Sequence, residues 1–268
     1  MTSNLKKLVP NFITLSNLFL GFVSIILLSM SLNIGSDSYI KTSCYLIFIS
    51  AFLDILDGKI ARKLSISSDF GKEIDSLADL ISFCLVPSFF LFIWYVKVSE
   101  INLILLIFLS SFPVVFGAIR LAKYNVMRNM RNSIKYIGMP TPANAIFICS
   151  LILFSMNFTI HPVFNMEFPL FKWMYTFLGF IPKNEFSILY LSMLSSVLLM
   201  SNVDYNKFPL MSFKINKTNT MDLFNLMLFL FILTTSIWFD CYDIVLLFFI
   251  LIYVFGNLIK YFFLKFIK

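Results

Sequence analysis

Long apolar runs alternate with short polar segments along the chain, and most of the runs reach the ~20 residues that a helix needs to cross a bilayer. We predict eight membrane-spanning helices, at 12–32, 39–62, 74–96, 101–123, 143–160, 186–201, 221–239 and 243–264. The sixth of these runs is the shortest. The aromatic segment 164–182 contains proline, which favours an interfacial position over a further crossing. The pattern therefore predicts an all-α, polytopic membrane helix bundle.

The composition excludes an ordinary soluble domain. The 268 residues are 59% hydrophobic and only 13% charged, and 34 of them are Phe, so a single soluble core could not enclose the apolar side chains. Four cysteines stand far apart within apolar runs and form no CxxC pair. We therefore expect buried packing residues rather than a disulfide or a zinc site at Cys44, Cys84, Cys149 and Cys241.

The net charge of +7 is divided among short basic clusters at the ends of the predicted helices. If the N-terminus lies inside, only four of the 21 Lys and Arg residues fall outside, namely Lys41, Lys97, Lys172 and Lys183. This asymmetry predicts a multi-pass protein of a bacterial cytoplasmic (inner) membrane with both termini in the cytoplasm. Clusters of this kind suit anionic headgroups, so we expect membrane lipids as partners and no nucleic acid.

Four aspartates stand out at the border between the second and third predicted helices. Asp54 and Asp57 are three residues apart and Asp75 and Asp79 are four apart, so on helices each pair shares one face. The polar stretch 63–71 between the pairs is long enough to reverse the chain at the cytoplasmic surface. Two antiparallel helices could therefore present their carboxylate pairs to each other.

Solvated helix ends are the simplest explanation for single aspartates at a membrane border. Four together are costly, because an ionised side chain at membrane depth costs ~2.5–3.5 kcal/mol. In addition, two carboxylates ~4 Å apart repel by ~4 kcal/mol at an effective dielectric constant of 20. An all-oxygen set without His or Cys favours Mg²⁺ or Mn²⁺ over zinc as compensation. Such a metal centre leaves positions for phosphate oxygens, so the cluster indicates phosphoryl chemistry at a membrane surface.

The four aspartates belong to a longer pattern, which reads Asp54-x2-Asp57-Gly58-x2-Ala61-Arg62-x8-Gly71-x3-Asp75-x3-Asp79. The spacing of these residues resembles the signature of a known family, the CDP-alcohol phosphotransferases. The resemblance implies a six-helix core that opens to the cytoplasm, in which two metal ions hold the diphosphate of a CDP-linked substrate. It also implies that the chain can form homodimers.

The same resemblance implies roles for individual residues. Asp54, Asp57 and Asp75 would be the principal metal ligands, and Asp79 would share the second metal and deprotonate the attacking alcohol. The residues implied in binding CDP-diacylglycerol are Gly58, Ala61, Arg62, Gly71, Asn11 and Thr14. Among these, Gly58 and Ala61 would let the cytidine end approach the helix, and Arg62 would be a charge partner within the site.

Further blocks resemble the phosphatidylserine synthase branch of this family. They are Pro10-Asn11-x2-Thr14-x2-Asn17-Leu18-Phe19-x-Gly21-Phe22, Asp75 to Phe83, Arg120 to Asn125, Gly138 to Pro142, and Met200-Ser201 followed by Tyr205. The resemblance implies transfer of a phosphatidyl group from CDP-diacylglycerol to L-serine, with CMP released. Arg120, Asn125 and Ser82 would contact serine or a phosphate. The chain departs from the branch at Cys84, where glycine is usual, and at Asp204, where a small or basic residue is common.

Several alternatives and boundaries follow from the same residues. Glycerol 3-phosphate or an inositol phosphate could replace serine as acceptor, and a divalent-cation transporter or a scaffold could use carboxylates differently.

We treat 1–268 as one membrane domain, with the core in 1–205 and two additional spans in 221–264. Thr141 is expected to cap the fifth helix with Pro142 in its first turn. His161 would lie outside and is given no catalytic part.

Overall fold

The computed structural model describes residues 3–63, 69–130, 138–158, 169–183, 186–205, 232–238 and 240–266, and the elements in this part of the chain are helices. They are α1 (Ser3–Ile34), α2 (Asp37–Lys63), α3 (Asp69–Asp79), α4 (Val86–Val98), α5 (Leu103–Ser110), α6 (Phe112–Met130), α7 (Thr141–Asn157), α8 (Pro169–Leu178), α9 (Phe180–Lys183), α10 (Ser187–Leu198), α11 (232–238) and α12 (Tyr242–Phe266). A π-helical turn, Leu80–Leu85, joins α3 to α4.

Five helical stretches are long and apolar enough to cross a membrane. They are Pro10–Ile34, Asp37–Ile60, Asp69–Val98, Leu103–Val126 and Tyr242–Phe266. They correspond to five of the predicted spans, and the all-α, polytopic membrane fold is confirmed. The spans predicted at 143–160 and 186–201 correspond to the shorter apolar helices α7 and α10. Most of the span predicted at 221–239 lies outside the described residues.

Helix α7 is the centre of the bundle. It is buried on nearly all sides, and Phe147, Leu151 and Phe154 are among its fully buried residues. Helices α2, α4, α10 and α12 and the π turn pack around it. A helix that is apolar all round is stable only inside a larger structure, which explains this central position. Exposed aromatic side chains such as Phe19 on α1 and Phe108 on α5 lie on the outside of the bundle, where lipid would surround a membrane protein.

The last helix, α12, packs against α7 and α8. At its N-terminal end, Asn157 Nδ2 donates a hydrogen bond to Asp243 Oδ2 at 3.1 Å. Farther along, the hydroxyl of Tyr205 donates to the carbonyl oxygen of Val254 at 3.4 Å. Burial raises the pKa of Tyr205 to about 12, so this hydroxyl keeps its proton at neutral pH. The last span is therefore tied to the core at two levels.

The start of α7 corrects one expectation. Thr141 does not cap this helix, because the N-cap position is Pro140, whose backbone is extended (φ −64°, ψ 141°). Pro142 lies in the first turn, as predicted. The Thr141 hydroxyl instead accepts a hydrogen bond from Arg120 on α6. All four cysteines are buried, as expected of packing residues.

The segment expected at the membrane interface is described from residue 169 onward. Its helix α8 buries Phe171 and Met174 and exposes Trp173 and Phe177. The Trp173 ring lies 5.7 Å, centroid to centroid, from the ring of Phe248 on α12. The interfacial position of this helix stays a prediction, and His161 lies outside the described residues.

Candidate active site

Helices α2 and α3 bring three of the four aspartates together. Asp54 and Asp57 lie one turn apart near the C-terminal end of α2, and Asp75 lies on α3, which follows α2 after a short connection. One carboxylate oxygen from each lies within 4.8 Å of the others. Asp57 is only 5% exposed, and the other two are half-buried. Spacing in the sequence thus correctly placed these carboxylates on facing helix surfaces.

Helix α1 supports this group through Thr14. Its hydroxyl lies 2.8 Å from Asp57 Oδ2 and 3.1 Å from the carbonyl oxygen of Pro10, one turn earlier. A hydroxyl has one proton, and the charged carboxylate is the stronger acceptor. Thr14 is 4% exposed, so water does not compete for this contact. Thr14, assigned to the lipid substrate by resemblance, thus lies directly behind a carboxylate of the cluster.

Asp79 stands apart from this group. It is the last residue of α3 and does not belong to the set of oxygens within 4.8 Å. It interacts electrostatically with Asp54, Asp75 and Arg120. Its Oδ1 is buried without a hydrogen-bond partner among the described residues. The fourth aspartate is therefore close enough to act with the other three without being one of their group.

Arg120 on α6 supplies positive charge to the site. Its Nη1 donates to the Thr141 hydroxyl at 3.4 Å, and its guanidinium interacts electrostatically with Asp54 and Asp79. The contact with Thr141 fixes the side chain between α6 and the start of α7. A guanidinium so held can bind a phosphate or carboxylate with two parallel hydrogen bonds.

The other predicted residues occupy varied positions. Asn125 on α6 exchanges hydrogen bonds with Ser76 on α3, since Nδ2 donates to Oγ at 3.0 Å and Oδ1 lies 3.3 Å from it. Ser82 is fully buried in the π turn and donates to the carbonyl oxygen of Asn17 at 3.0 Å. Both contacts join helices that carry site residues.

The remaining predicted residues are less informative. Asn11, Gly58 and Gly71 are half-buried. The side chains of Ala61 and Arg62 lie outside the described part of the chain.

The π turn that follows Asp79 was not predicted from the sequence. The hydrogen bond that defines it runs from the Val86 N–H to the carbonyl oxygen of Ile81, five residues back. Turns of this kind are rare and occur often at functional sites. No residue pattern in 80–85 distinguishes this turn from an ordinary α-helix, so only the packing around it could have revealed it.

The donor set fits a hard divalent cation. Three carboxylate oxygens within 4.8 Å, with neither His nor Cys among them, match the ligands that Mg²⁺ and Mn²⁺ prefer. Like charges this close are unfavourable in a partly buried place unless a cation compensates them. The three residues that would hold the metal are Asp54, Asp57 and Asp75.

Comparisons with known proteins agree with this chemistry. A family model described as CDP-alcohol phosphatidyltransferase matches residues 7–181, a range that includes all four aspartates and Arg120. The CDP-diacylglycerol--serine O-phosphatidyltransferase of Helicobacter pylori (strain J99) is 33% identical over 208 residues, which cover 78% of this chain and 76% of that protein. The protein of the same name from Methanocaldococcus jannaschii is 33% identical over 150 residues, 54% of this chain and 61% of that protein. The archaetidylserine synthase of Methanothermobacter thermautotrophicus is 29% identical over 147 residues, 54% of this chain and 58% of that protein.

Proposed function

This chain belongs to the CDP-alcohol phosphatidyltransferase family, and we propose that it transfers a phosphatidyl group from CDP-diacylglycerol to the hydroxyl of L-serine, which yields phosphatidylserine and CMP. The observation that carries this proposal is the group of three carboxylates on α2 and α3. The choice of serine is supported by relatives named as serine phosphatidyltransferases, one of them matched over 76% of its length. Glycerol 3-phosphate and an inositol phosphate are the alternative acceptors.

Asp54, Asp57 and Asp75 hold the divalent cations in this proposal. Mg²⁺ or Mn²⁺, as two ions, would neutralise the diphosphate of CDP-diacylglycerol and the charge that develops on the departing CMP. Thr14 keeps Asp57 in place through the 2.8 Å hydrogen bond, so it acts on the ligand rather than on the substrate.

Asp79 is the base in the transfer. The serine hydroxyl oxygen forms a bond to the phosphorus of the phosphatidyl group while the bond from that phosphorus to the bridging oxygen breaks, and its electron pair leaves with CMP. Asp79 takes the hydroxyl proton as the new bond forms. Its Oδ1, which is buried without a hydrogen-bond partner among the described residues, supports this role, and its other oxygen can share the second metal.

Arg120 binds an anionic group of the substrates. It lies near Asp54 and Asp79 and is held by Thr141, so its guanidinium can orient a phosphate or the carboxylate of serine beside the base. Asn125 and Ser82 act indirectly, since their hydrogen bonds join α6 to α3 and the π turn to α1.

In this proposal the enzyme lies in the cytoplasmic membrane with its aspartates facing the cytoplasm. The excess of Lys and Arg at one set of helix ends supports this orientation. Phosphatidylserine would then be made from a lipid within the membrane and a water-soluble amino acid on the cytoplasmic side. Homodimer formation remains part of the proposal and is not needed for the chemistry above.

The deciding experiment measures CMP release by the purified protein in detergent. CDP-diacylglycerol is supplied with Mn²⁺ or Mg²⁺, and L-serine, glycerol 3-phosphate and inositol phosphate are offered separately. We expect CMP and phosphatidylserine with serine alone. Release with another acceptor would keep the family chemistry and overturn the choice of serine. No release with any acceptor, in protein shown to be folded, would favour the transporter or scaffold alternatives.

A further inference from the structure

The π turn Leu80–Leu85 is wedged between two helices at positions where each carries a glycine. A Cβ atom placed on Gly21 of α1 would lie 2.5 Å from the Ser82 Oγ and 3.1 Å from its Cα. A Cβ atom placed on Gly117 of α6 would overlap the Cys84 sulfur and lie 2.9 Å from the Cys84 Cβ. A side chain larger than hydrogen therefore fits at neither glycine unless the π turn, or the Ser82 or Cys84 side chain that faces it, shifts.

The two contacts lie on different sides of the turn. Ser82 and Cys84 are two residues apart in the turn, and each meets a glycine on a different helix. Ser82 faces α1, where its hydroxyl also donates to the carbonyl oxygen of Asn17 at 3.0 Å. Cys84 faces α6, where it meets Gly117. Both residues are fully buried, so neither side offers room for the turn to relax.

Asp79 immediately precedes this turn. A π turn contains one more residue than the corresponding turn of an α-helix. Compared with a continuous α-helix, the residues before the turn are therefore rotated by about 100° about the helix axis relative to the residues after it. The turn therefore decides which direction the Asp79 side chain takes relative to α4. Cys84 lies near both Asp79 and Arg120, since both charges act on its thiol. A displacement of Cys84 would therefore change the surroundings of the Asp79 carboxylate and of the Arg120 guanidinium.

We propose that Gly21 and Gly117 are positioning residues, which hold the π turn between α1 and α6 and so direct the Asp79 carboxylate toward the acceptor hydroxyl. This role rests on the proposed function, because it needs Asp79 to be the base. Cys84 contributes to this positioning, since its side chain fills the space that Gly117 leaves open.

The central test is Gly117→Ala in the full-length protein. We expect kcat for CMP release to fall about 10- to 100-fold, as a shift of the base by a fraction of an ångström predicts, while KM for CDP-diacylglycerol stays unchanged. Gly21→Ala is expected to behave in the same way. The matched control is Gly256→Ala on α12, where a new Cβ would have its nearest contact at 4.0 Å, with Ile252. This control should retain the parent kcat.

A second change on the opposing side should restore activity in a graded manner. Cys84→Ala in the Gly117→Ala background removes the sulfur but leaves the Cβ atoms 2.9 Å apart, so we expect partial recovery. Cys84→Gly removes both atoms, and we expect kcat to return to near the parent value. The midpoint of thermal unfolding should follow the same order, which tests the contact by a readout that is independent of turnover.

Three results would overturn the proposal. They are an unchanged kcat in folded Gly117→Ala, a loss that neither Cys84 change reverses, and a rise in KM that accounts for the loss. A loss of folded protein alone would lower the amount of active enzyme but not kcat per active site. If the proposed function is wrong, the result differs, because the parent protein itself would then release no CMP with any acceptor. That result would also overturn the positioning role of the two glycines.

Discussion

The Thr14 hydroxyl on α1 lies 2.8 Å from Oδ2 of Asp57 on α2, and both side chains are almost completely buried. The first helix thereby fixes one carboxylate of the group that lies between the second and third helices. Groups that hydrogen-bond a metal ligand orient it and adjust its basicity. A residue without direct contact to metal or substrate can therefore influence both.

Thr14→Val should weaken metal binding. The substitution keeps the shape of the side chain but removes the donor to Asp57, so we expect the concentration of Mn²⁺ needed for half-maximal CMP release to rise about 10- to 100-fold. Thr14→Ser retains the hydroxyl and is the matched control. Equal Mn²⁺ dependence in the Val and Ser variants would show that this hydrogen bond does not support the metal site.

Asp57→Asn should abolish most activity. It replaces a charged ligand by a neutral amide. Loss of a group that only supports a metal ligand lowers activity by up to about 100-fold, so loss of the ligand itself should lower CMP release by more than that. The matched control is Asp69→Asn at the start of α3, where the side chain is 98% exposed and pairs with Lys72 at 2.6 Å. An exposed ion pair contributes little, so this variant should resemble the parent. Comparable losses in both variants would contradict a special role for Asp57.

Asp79→Asn should separate proton transfer from metal binding. If Asp79 is the base and the other three carboxylates hold the metal, kcat should fall about 100- to 10,000-fold while Mn²⁺ binding to the substrate-free protein changes little. Isothermal titration with Mn²⁺ and a CMP assay measure the two quantities. A parent-like kcat would refute the base assignment, and a complete loss of Mn²⁺ binding would place Asp79 among the essential ligands.

The sequence predicted this site well where local spacing decides geometry. Residues three or four apart on a helix share a face, so the pairing of Asp54 with Asp57 and their approach to Asp75 could be inferred from spacing alone. Contacts between distant segments could not. The bond between Thr14 and Asp57 spans 43 positions, and that between Asn125 and Ser76 spans 49.

The incorrect prediction at Thr141 has the same origin. A threonine followed by proline is a common helix start, and the local pattern supports a capping role. In the structure the N-cap is Pro140, and the Thr141 hydroxyl is engaged by Arg120, which lies 21 positions earlier. The π turn could not be predicted either, since the glycines that it contacts lie in two other helices. Tertiary contacts outweighed the local preference in both cases.

Arg120→Gln should lower kcat/KM for serine. Hydrogen bonds from a charged donor contribute about 1.5–3 kcal/mol, which corresponds to a loss of about 10- to 100-fold. Lys123→Gln is the matched control, because Lys123 is on the same helix and exposed. A loss confined to KM for CDP-diacylglycerol would assign Arg120 to the diphosphate rather than to serine. Equal activity of the two variants would remove Arg120 from the substrate site.

The contact between Asn157 and Asp243 should affect stability without affecting chemistry. Asn157 is at the end of α7 opposite Thr141, sixteen residues or about 24 Å away at 1.5 Å per residue, so it cannot touch the reacting groups. Asn157→Leu removes the donor to a carboxylate that is 0% exposed. Loss of one partner of a buried hydrogen bond costs about 1–3 kcal/mol, and we expect the midpoint of thermal unfolding to fall by about 3–10 °C.

The double variant Asn157→Leu/Asp243→Leu distinguishes this explanation from simple overpacking. Replacing both partners by apolar groups removes the buried carboxyl group together with its donor, and such paired replacements are often neutral or stabilising. The double variant should therefore unfold at a higher temperature than the single one, although it carries one more substitution. A double variant less stable than Asn157→Leu would mean that Asp243 stabilises α12 mainly through its other contacts. In each variant kcat per folded molecule should equal that of the parent, since α12 meets α7 here on the side of the bundle away from the aspartates.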